Sequence, residues 1–356
     1  MKKNRITSHD VARRAGVSQT TVSFVLNRNK TGKISETTAA KVWEAARELG
    51  YVPDAAARSL ARGYSMNIAL VMTNPHKQVL IDDYIPNVIT GLMESAGADG
   101  FRVVLELVKD DDPVNVIQDL ARGREVAGII IAPNEHTDRY MEILLNLNHE
   151  DFPLVTLRHL ADSIASVTSR NLDGIRAMTE HLIDLGHERI ACISYASSAV
   201  NPHVAERLDM LRKTMQAQGL DLPAAYIKEG QYDPSTGYTA AQELLDLDTP
   251  PTAIQCLNDT MALGAMAAVQ DAGLRVPDDI AVVGFDDIRV AAYTNPPLTT
   301  VRAQEIQLGE QAGRAILDML HNQPPVNRHI ELPTELIVRS SCGAKPTQTN
   351  NERTGA

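Results

Sequence analysis

Residues 11–27 read VARRAGVSQTTVSFVLN, and the spacing of their apolar and small side chains predicts two short helices joined by a tight turn. Val11, Ala12 and Ala15 give the first helix its buried side. Gly16 supplies the turn, where a Cβ would be costly at positive φ. Ser18 is placed to cap a second helix over 19–27, whose apolar side is Val22, Val25 and Leu26. A helix-turn-helix of this kind is the unit whose second helix lies in the DNA major groove. It opens a chain of 356 residues, so a small reader is joined to something larger.

Charge supports that division. The first 65 residues hold 12 Lys+Arg and 5 Asp+Glu, a net of +7. The remainder holds 22 basic and 40 acidic residues, a net of −18. A basic arm on an acidic body suits a nucleic-acid module joined to a domain that must not cling to DNA. The three cysteines, Cys192, Cys256 and Cys342, have no metal-ligand spacing and read as small core residues of a reduced compartment. With no secretory pattern after Lys2 and Lys3 and no membrane-length apolar run, a cytoplasmic location is expected.

A third helix is predicted over 36–49, capped by Ser35 and closed by Gly50, with Ala39, Val42, Trp43 and Ala46 covering the first two. YVPDAAARSLARG follows at 51–63. Pro53 excludes Val52 from helical backbone, Asp54 can cap a short helix through Leu60, and Gly63 can end it. So short a helix is marginal alone. From Asn67 the pattern changes. Strands are predicted at 68–72, 103–108, 128–132, 154–157, 190–194, 225–228, 253–256 and 280–283. Amphipathic helices are predicted at 87–98, 114–122, 139–147, 172–185, 205–218, 237–247 and 261–272. Repeated βαβ units of this number imply α/β architecture with two doubly wound parallel-sheet subdomains behind an all-α headpiece. A first crossing between subdomains is expected near 162–169. The tail at 343–356 is polar, lacks leucine heptads and is expected to be disordered.

The chain resembles the lactose-repressor-like (LacI/GalR) family of bacterial transcription regulators. The resemblance rests on VARRAGVSQTTVSFVLN, the hinge-like AAARSLARG, HLIDLGHERIA at 181–191, NDTMALGAMAAVQDAGLRVPDDIAVVGFDD at 258–287, NPPLTTVRA at 295–303 and LPTELIVRSSC at 332–342. It implies a homodimer with a headpiece at 1–52, a hinge at 53–65 and a periplasmic-binding-protein-like core at 66–342. Further crossings would fall near 289–295 and 322–328. The N-lobe would then hold about 66–162 and 294–323, and the C-lobe about 163–293 and 324–342.

Several residues are candidates for DNA contact. Gln is a bidentate reader of adenine and Thr can meet a thymine methyl, and Gln19 and Thr20 match the family's base-contacting pair. Thr7, Ser18, Thr21, Ser23 and Asn27 are short donors suited to phosphates. Phe24 either presses on a thymine methyl or packs within the headpiece. Leu60 matches the family's hinge leucine, a wedge for a minor-groove base step, unless it packs hinge on hinge. Ala57 is small enough to let that helix approach the groove floor.

For a small-molecule effector, Arg207, Asn258 and Asp286 match the family's cleft positions. A guanidinium, an amide and a carboxylate suit paired sugar hydroxyls. A structural ion pair for Arg207 and helix caps for Asn258 and Asp286 are the alternatives. Tyr84 stands where an aromatic stacks on ligand in the family, and Asp287 is expected to be structural. Arg170 before Asn171, and Met210 three residues after Arg207, depart from the family pattern, so no particular sugar carries over.

The combined reading is a repressor of carbohydrate-utilisation genes that binds a near-palindromic operator as a dimer and is released by a sugar-like effector. The alternative is a corepressor-type regulator that takes a purine-like ligand in an aromatic slot. A sugar-transport protein fits the headpiece poorly. No nucleophile–base, metal or cofactor motif is present, so neither catalysis nor a bound metal is expected. One prediction follows from the basic segment. DNA affinity should fall steeply with salt, each neutralised phosphate adding about −0.9 to the log–log slope. Anisotropy titrations between low and physiological salt measure it, and a flat response contradicts the assignment.

Overall fold

The computed structural model describes residues 6–26, 34–52, 64–73, 83–108, 113–133, 140–195, 202–323 and 327–344. Asn27, the hinge positions Ala57 and Leu60, the acidic run 110–112 and nearly all of the polar tail lie outside these residues. The chain divides into two compact units, Met1–Met66 and Asn67–Ala356.

The first unit holds helices α1 (Ser8–Ala15), α2 (Gln19–Leu26) and α3 (Glu36–Leu49). Gly16 and Gly50 end α1 and α3 in left-handed backbone at φ 69° and 64°, which their missing Cβ permits. Ser18 and Ser35 accept the N–H groups of Thr21 and Thr38 at 3.1 and 3.2 Å, so both predicted caps form. Val11, Ala12, Val22, Val25, Val42, Ala45 and Ala46 make one core. Trp43, expected in that core, is 43% exposed. The α3 stripe runs Val42, Ala45, Ala46, Leu49, and Trp43 stands about 100° away from Val42 around the helix.

The second unit is two α/β lobes. Strands β1 (Asn67–Thr73), β2 (Arg102–Val108), β3 (Gly128–Pro133), β4 (Leu154–Thr156), β5 (Ala165–Ser169) and β11 (His329–Leu332) form one parallel sheet, ordered β11-β5-β4-β3-β1-β2. Strands β6 (Ile190–Ser194), β7 (Ile227–Glu229), β8 (Ala253–Cys256) and β9 (Ala281–Val283) form a second, ordered β7-β6-β8-β9. Beside β9, β10 (Thr300–Arg302) pairs antiparallel with β12 (Glu335–Ile337). Helices α4 (Tyr84–Ser95), α5 (Pro113–Arg122) and α6 (Met141–His149) belong to the first lobe. Helices α7 (Asn171–Asp184), α8 (Pro202–Ala217), α9 (Pro234–Leu245) and α10 (Asp259–Asp271) belong to the second, and α11 (Glu305–Leu320) returns to the first. The three cysteines are buried.

The crossings lie further along the chain than the sequence reading placed them. β5 and β11 are members of the first sheet, not links, and β10 extends the second. The chain therefore crosses between Ser169 and Asn171, between Arg302 and Glu305, and between Leu332 and Glu335. HIEL, β11, lies at the edge of the sheet and is only partly apolar, and ASVTS, β5, is paired on both sides although its second half is polar.

Each lobe packs one helix pair across glycines. A Cβ on Gly91 or Gly309 would overlap the backbone of the facing helix in the α4–α11 pair, and one on Gly237 or Gly264 would do so in α9–α10. Gly264→Ala is expected to force α10 away from Pro234 and to destabilise by about 1–3 kcal/mol. Thermal denaturation should show a drop of about 2–4 °C for each kcal/mol. An unchanged midpoint would mean that the contact is slack.

Candidate functional site

On the headpiece, Ser18, Gln19, Thr20, Ser23 and Phe24 lie on the exposed side of α2, with Thr21 half-buried. Gln19 Nε2 donates to Ser8 Oγ at 2.7 Å, which leaves the amide oxygen and a second N–H for another partner. Thr7 caps α1. Its Oγ1 accepts Asp10 N at 3.4 Å while its own N–H donates to Asp10 Oδ2 at 3.0 Å. Phe24 is 38% exposed, so it does not close the headpiece core. The second helix thus presents one amide, several hydroxyls and one aromatic ring from a rigid three-helix support.

In the core, three of the four residues chosen from sequence, Arg207, Asn258 and Asp286, lie at the carboxyl ends of the second sheet, where open α/β sheets bind ligands. Arg207 on α8 donates from Nη1 to Leu257 O at 3.1 Å and lies 4.4 Å from the Phe285 ring centroid and 5.4 Å from that of Tyr195. Tyr195 in turn stacks on Tyr232 at 4.6 Å. No carboxylate holds Arg207 among the described residues; aromatic faces and one carbonyl do. Asp286 is half-buried in positive-φ backbone at 111°, its N–H bonded to Val301 O at 2.8 Å. Asn258 caps α10, accepting Met261 N at 2.9 Å, and is buried. Tyr84 begins α4 in the first lobe and is half-buried.

The first lobe closes on this site through groups the sequence reading missed. Arg158, just past β4, donates to Glu206 on α8 at 2.9 Å and so spans the lobes. His203 on α8 donates to the Pro133 carbonyl at the end of β3. Burial first, then the charges of Arg158 and Arg207, push the His203 pKa down to about 4, so the ring is neutral at physiological pH. The available signal was positional: Arg158, Tyr195 and Tyr232 all follow strand ends. The departures from the family pattern lie elsewhere. Met210 packs on the second-lobe core, and Arg170 pairs with Glu331 at 3.4 Å at the first crossing.

The crossings carry buried acids. Asp287 binds Arg302 at 2.7 Å and Arg339 at 2.6 Å, the structural part expected of it. Asp259 accepts Thr300 Oγ1 at 2.6 Å and Ile288 N at 2.9 Å. Burial, despite those bonds and with Asp287 nearby, pushes its pKa up to about 8. Burial also raises Glu305 at the start of α11, where Asp287 and Asp83 add repulsion.

Comparison with known proteins locates this arrangement. Residues 7–54 match "Bacterial regulatory proteins, lacI family", and residues 179–342 match "Periplasmic binding protein-like domain". The chain is 33% identical over 344 residues to the HTH-type transcriptional repressor PurR of Vibrio campbellii, covering 94% of this chain and 98% of that one. It superimposes on the Lac repressor dimer bound to operator and the anti-inducer ONPF with TM-score 0.82 at 29% identity, covering 96% of this chain and 100% of the other. A transcriptional regulator CelR–cellobiose complex gives TM-score 0.67 at 28% identity, with 95% and 100% covered.

The raised Asp259 pKa predicts a pH dependence. The folded chain keeps this proton up to about pH 8, whereas the free side chain loses it near 3.8. Folding therefore binds a proton between those values, and stability falls as pH rises through the window. Asp259→Asn should flatten the denaturant-midpoint profile between pH 5 and about 8. An equally steep profile in the variant would assign the dependence elsewhere.

Proposed function

The chain belongs to the lacI family of bacterial regulatory proteins, and on that premise we propose that its core takes a purine-like, planar heterocyclic effector as a corepressor. It is a DNA-binding repressor of that family. The observation that carries the effector reading is the aromatic cluster around Arg207: Tyr195 stacked on Tyr232, and Phe285 beneath the guanidinium. Flat rings and a guanidinium face suit a flat, polar-edged base, and the neutral His203 and the Arg158–Glu206 pair add polar groups close by. The PurR relatives agree with this choice over the carbohydrate effector first read from the sequence.

In this reading a homodimer places two copies of α2 in successive major grooves of a near-palindromic operator. Gln19 and Thr20 read bases, Thr7, Ser18, Thr21, Ser23 and Asn27 hold phosphates, Phe24 meets a thymine methyl, and Leu60 wedges a central step where Ala57 allows close approach. Effector bound among Tyr84, Arg207, Asn258 and Asp286 favours one lobe arrangement, and that preference sets DNA affinity through linkage. A sugar-released repressor is the second reading. The Asp286 carboxylate, whose charge reaches Tyr195 as that of Arg207 does, and the cellobiose-bound relative favour it.

One experiment separates the two. The full chain is screened by thermal shift against purine bases and against mono- and disaccharides, and duplex selected from a random pool is titrated with each hit. A purine base should raise the melting temperature and tighten DNA binding. Arg207→Ala should weaken that ligand about tenfold to a hundredfold, as loss of a charged hydrogen-bond partner does. Stabilisation by sugars alone, with weakened DNA binding, would replace the proposal with the second reading.

A further inference from the structure

The first sheet ends at β11, and β11 begins with His329. Its Nε2–H donates to the Asp162 carbonyl at 3.1 Å, while Nδ1 lies 3.0 Å from Ser166 Oγ. His159, from the same loop as Asp162, sets its ring edge-on to His329, with centroids 4.6 Å apart and planes at 80°. His159 Nε2 is 3.3 Å from Asp162 Oδ1. One ligand atom from each of His159, Asp162 and His329 lies within 4.8 Å of the other two. None of these three side chains takes part in the cleft or the headpiece as described above.

We propose that His159, Asp162 and His329 bind one divalent transition-metal ion of the zinc type, with water completing the coordination. Two imidazoles and one carboxylate are the donor set of such ions, whereas magnesium and calcium take oxygen ligands. Ligands at 2.0–2.1 Å on tetrahedral vertices stand about 3.3 Å apart, and the His159–Asp162 pair already has that spacing. The Asp162 side chain is wholly exposed and His159 half-exposed, so both can close on an ion without disturbing the core. His329 is oriented by Ser166. On metal binding its Nε2 exchanges the Asp162 carbonyl for the ion, and Nδ1–H donates to Ser166 Oγ, the outer hydrogen bond that ligating histidines characteristically make.

Spacing along the chain hides this site. His159 and Asp162 are three residues apart, but Asp162 and His329 are separated by 167. The parallel pairing of β11 with β5 brings them together. A bound ion would pin the loop after β4 to the edge strand from which the chain makes its third crossing. Arg158, the residue that spans the lobes, is adjacent to His159.

The test uses the full chain after treatment with a chelator. Zinc chloride is titrated by calorimetry, with magnesium chloride as the control, and cobalt(II) is added separately to read d–d absorption. One equivalent of zinc should bind per chain with micromolar or tighter affinity. His159→Gln or His329→Gln should each weaken it at least tenfold, while His149→Gln should not. Circular dichroism melts of the metal-free variants confirm folding. Zinc binding that is absent at 100 µM, about the weak limit for such a site, or that is equal in all four proteins, overturns the proposal. Because neither DNA nor effector enters the measurement, its outcome is independent of the effector reading.

Discussion

A charge buried in the second lobe anchors the ends of the segments that cross from it to the first. Asp287 takes one arginine from β10 and another from just past β12, Arg302 and Arg339, and Arg302 also reaches Glu335 at 3.3 Å. A carboxylate this enclosed persists only while both partners are in place, since an uncompensated buried charge is strongly unfavourable. Bonds to backbone carbonyls link the crossing segments to one another. Ser169 Oγ donates to Ala303 O at 2.8 Å, and Arg170 N to Leu332 O at 2.9 Å. The three crossings are thus one hydrogen-bonded bundle, and any change in lobe angle has to be taken up there.

Rigid lobes make such a bundle useful. Each lobe has a parallel sheet with buried central strands and a glycine-mediated helix pair in near-backbone contact. A change of lobe angle would therefore fall on the crossings rather than within a lobe. The buried acids at this junction follow from the same economy of space. Asp259 and Glu305 are enclosed by the elements that meet there, and burial outweighs their hydrogen bonds in setting protonation.

The cleft is built on a different principle from the junction. Arg207 is held by faces of Phe285 and Tyr195 and by one backbone carbonyl, with no carboxylate to neutralise it among the described residues. A cation supported in that way keeps donors for a ligand, whereas a fully paired arginine such as Arg339 does not. His203, held neutral, can serve as a hydrogen-bonding group across the lobes without a change of charge at physiological pH.

The sequence by itself determined the headpiece, the α/β class and most of the strands. Those features are local: Gly16 and Gly50 need left-handed backbone, Ser18 and Ser35 cap the helices that follow them, and apolar runs such as IACIS at 190–194 are long enough to be recognised. Of the effector candidates read from motifs, Asn258 and Asp286 fall just past strand ends and Arg207 lies on α8. Tertiary structure decided what depends on distant partners. β5 and β11 are strands because each pairs with a segment far away in the chain, and their own composition is too short and polar to say so. Trp43 was misplaced because neighbouring helical positions differ by about 100°, and packing against α1 and α2 selects Ala45 instead. Arg158 and His203 became part of the cleft, and His159, Asp162 and His329 became neighbours, only when sheet order brought separate loops together. Local propensity acts over a few residues, whereas parallel pairing joins positions separated by more than a hundred.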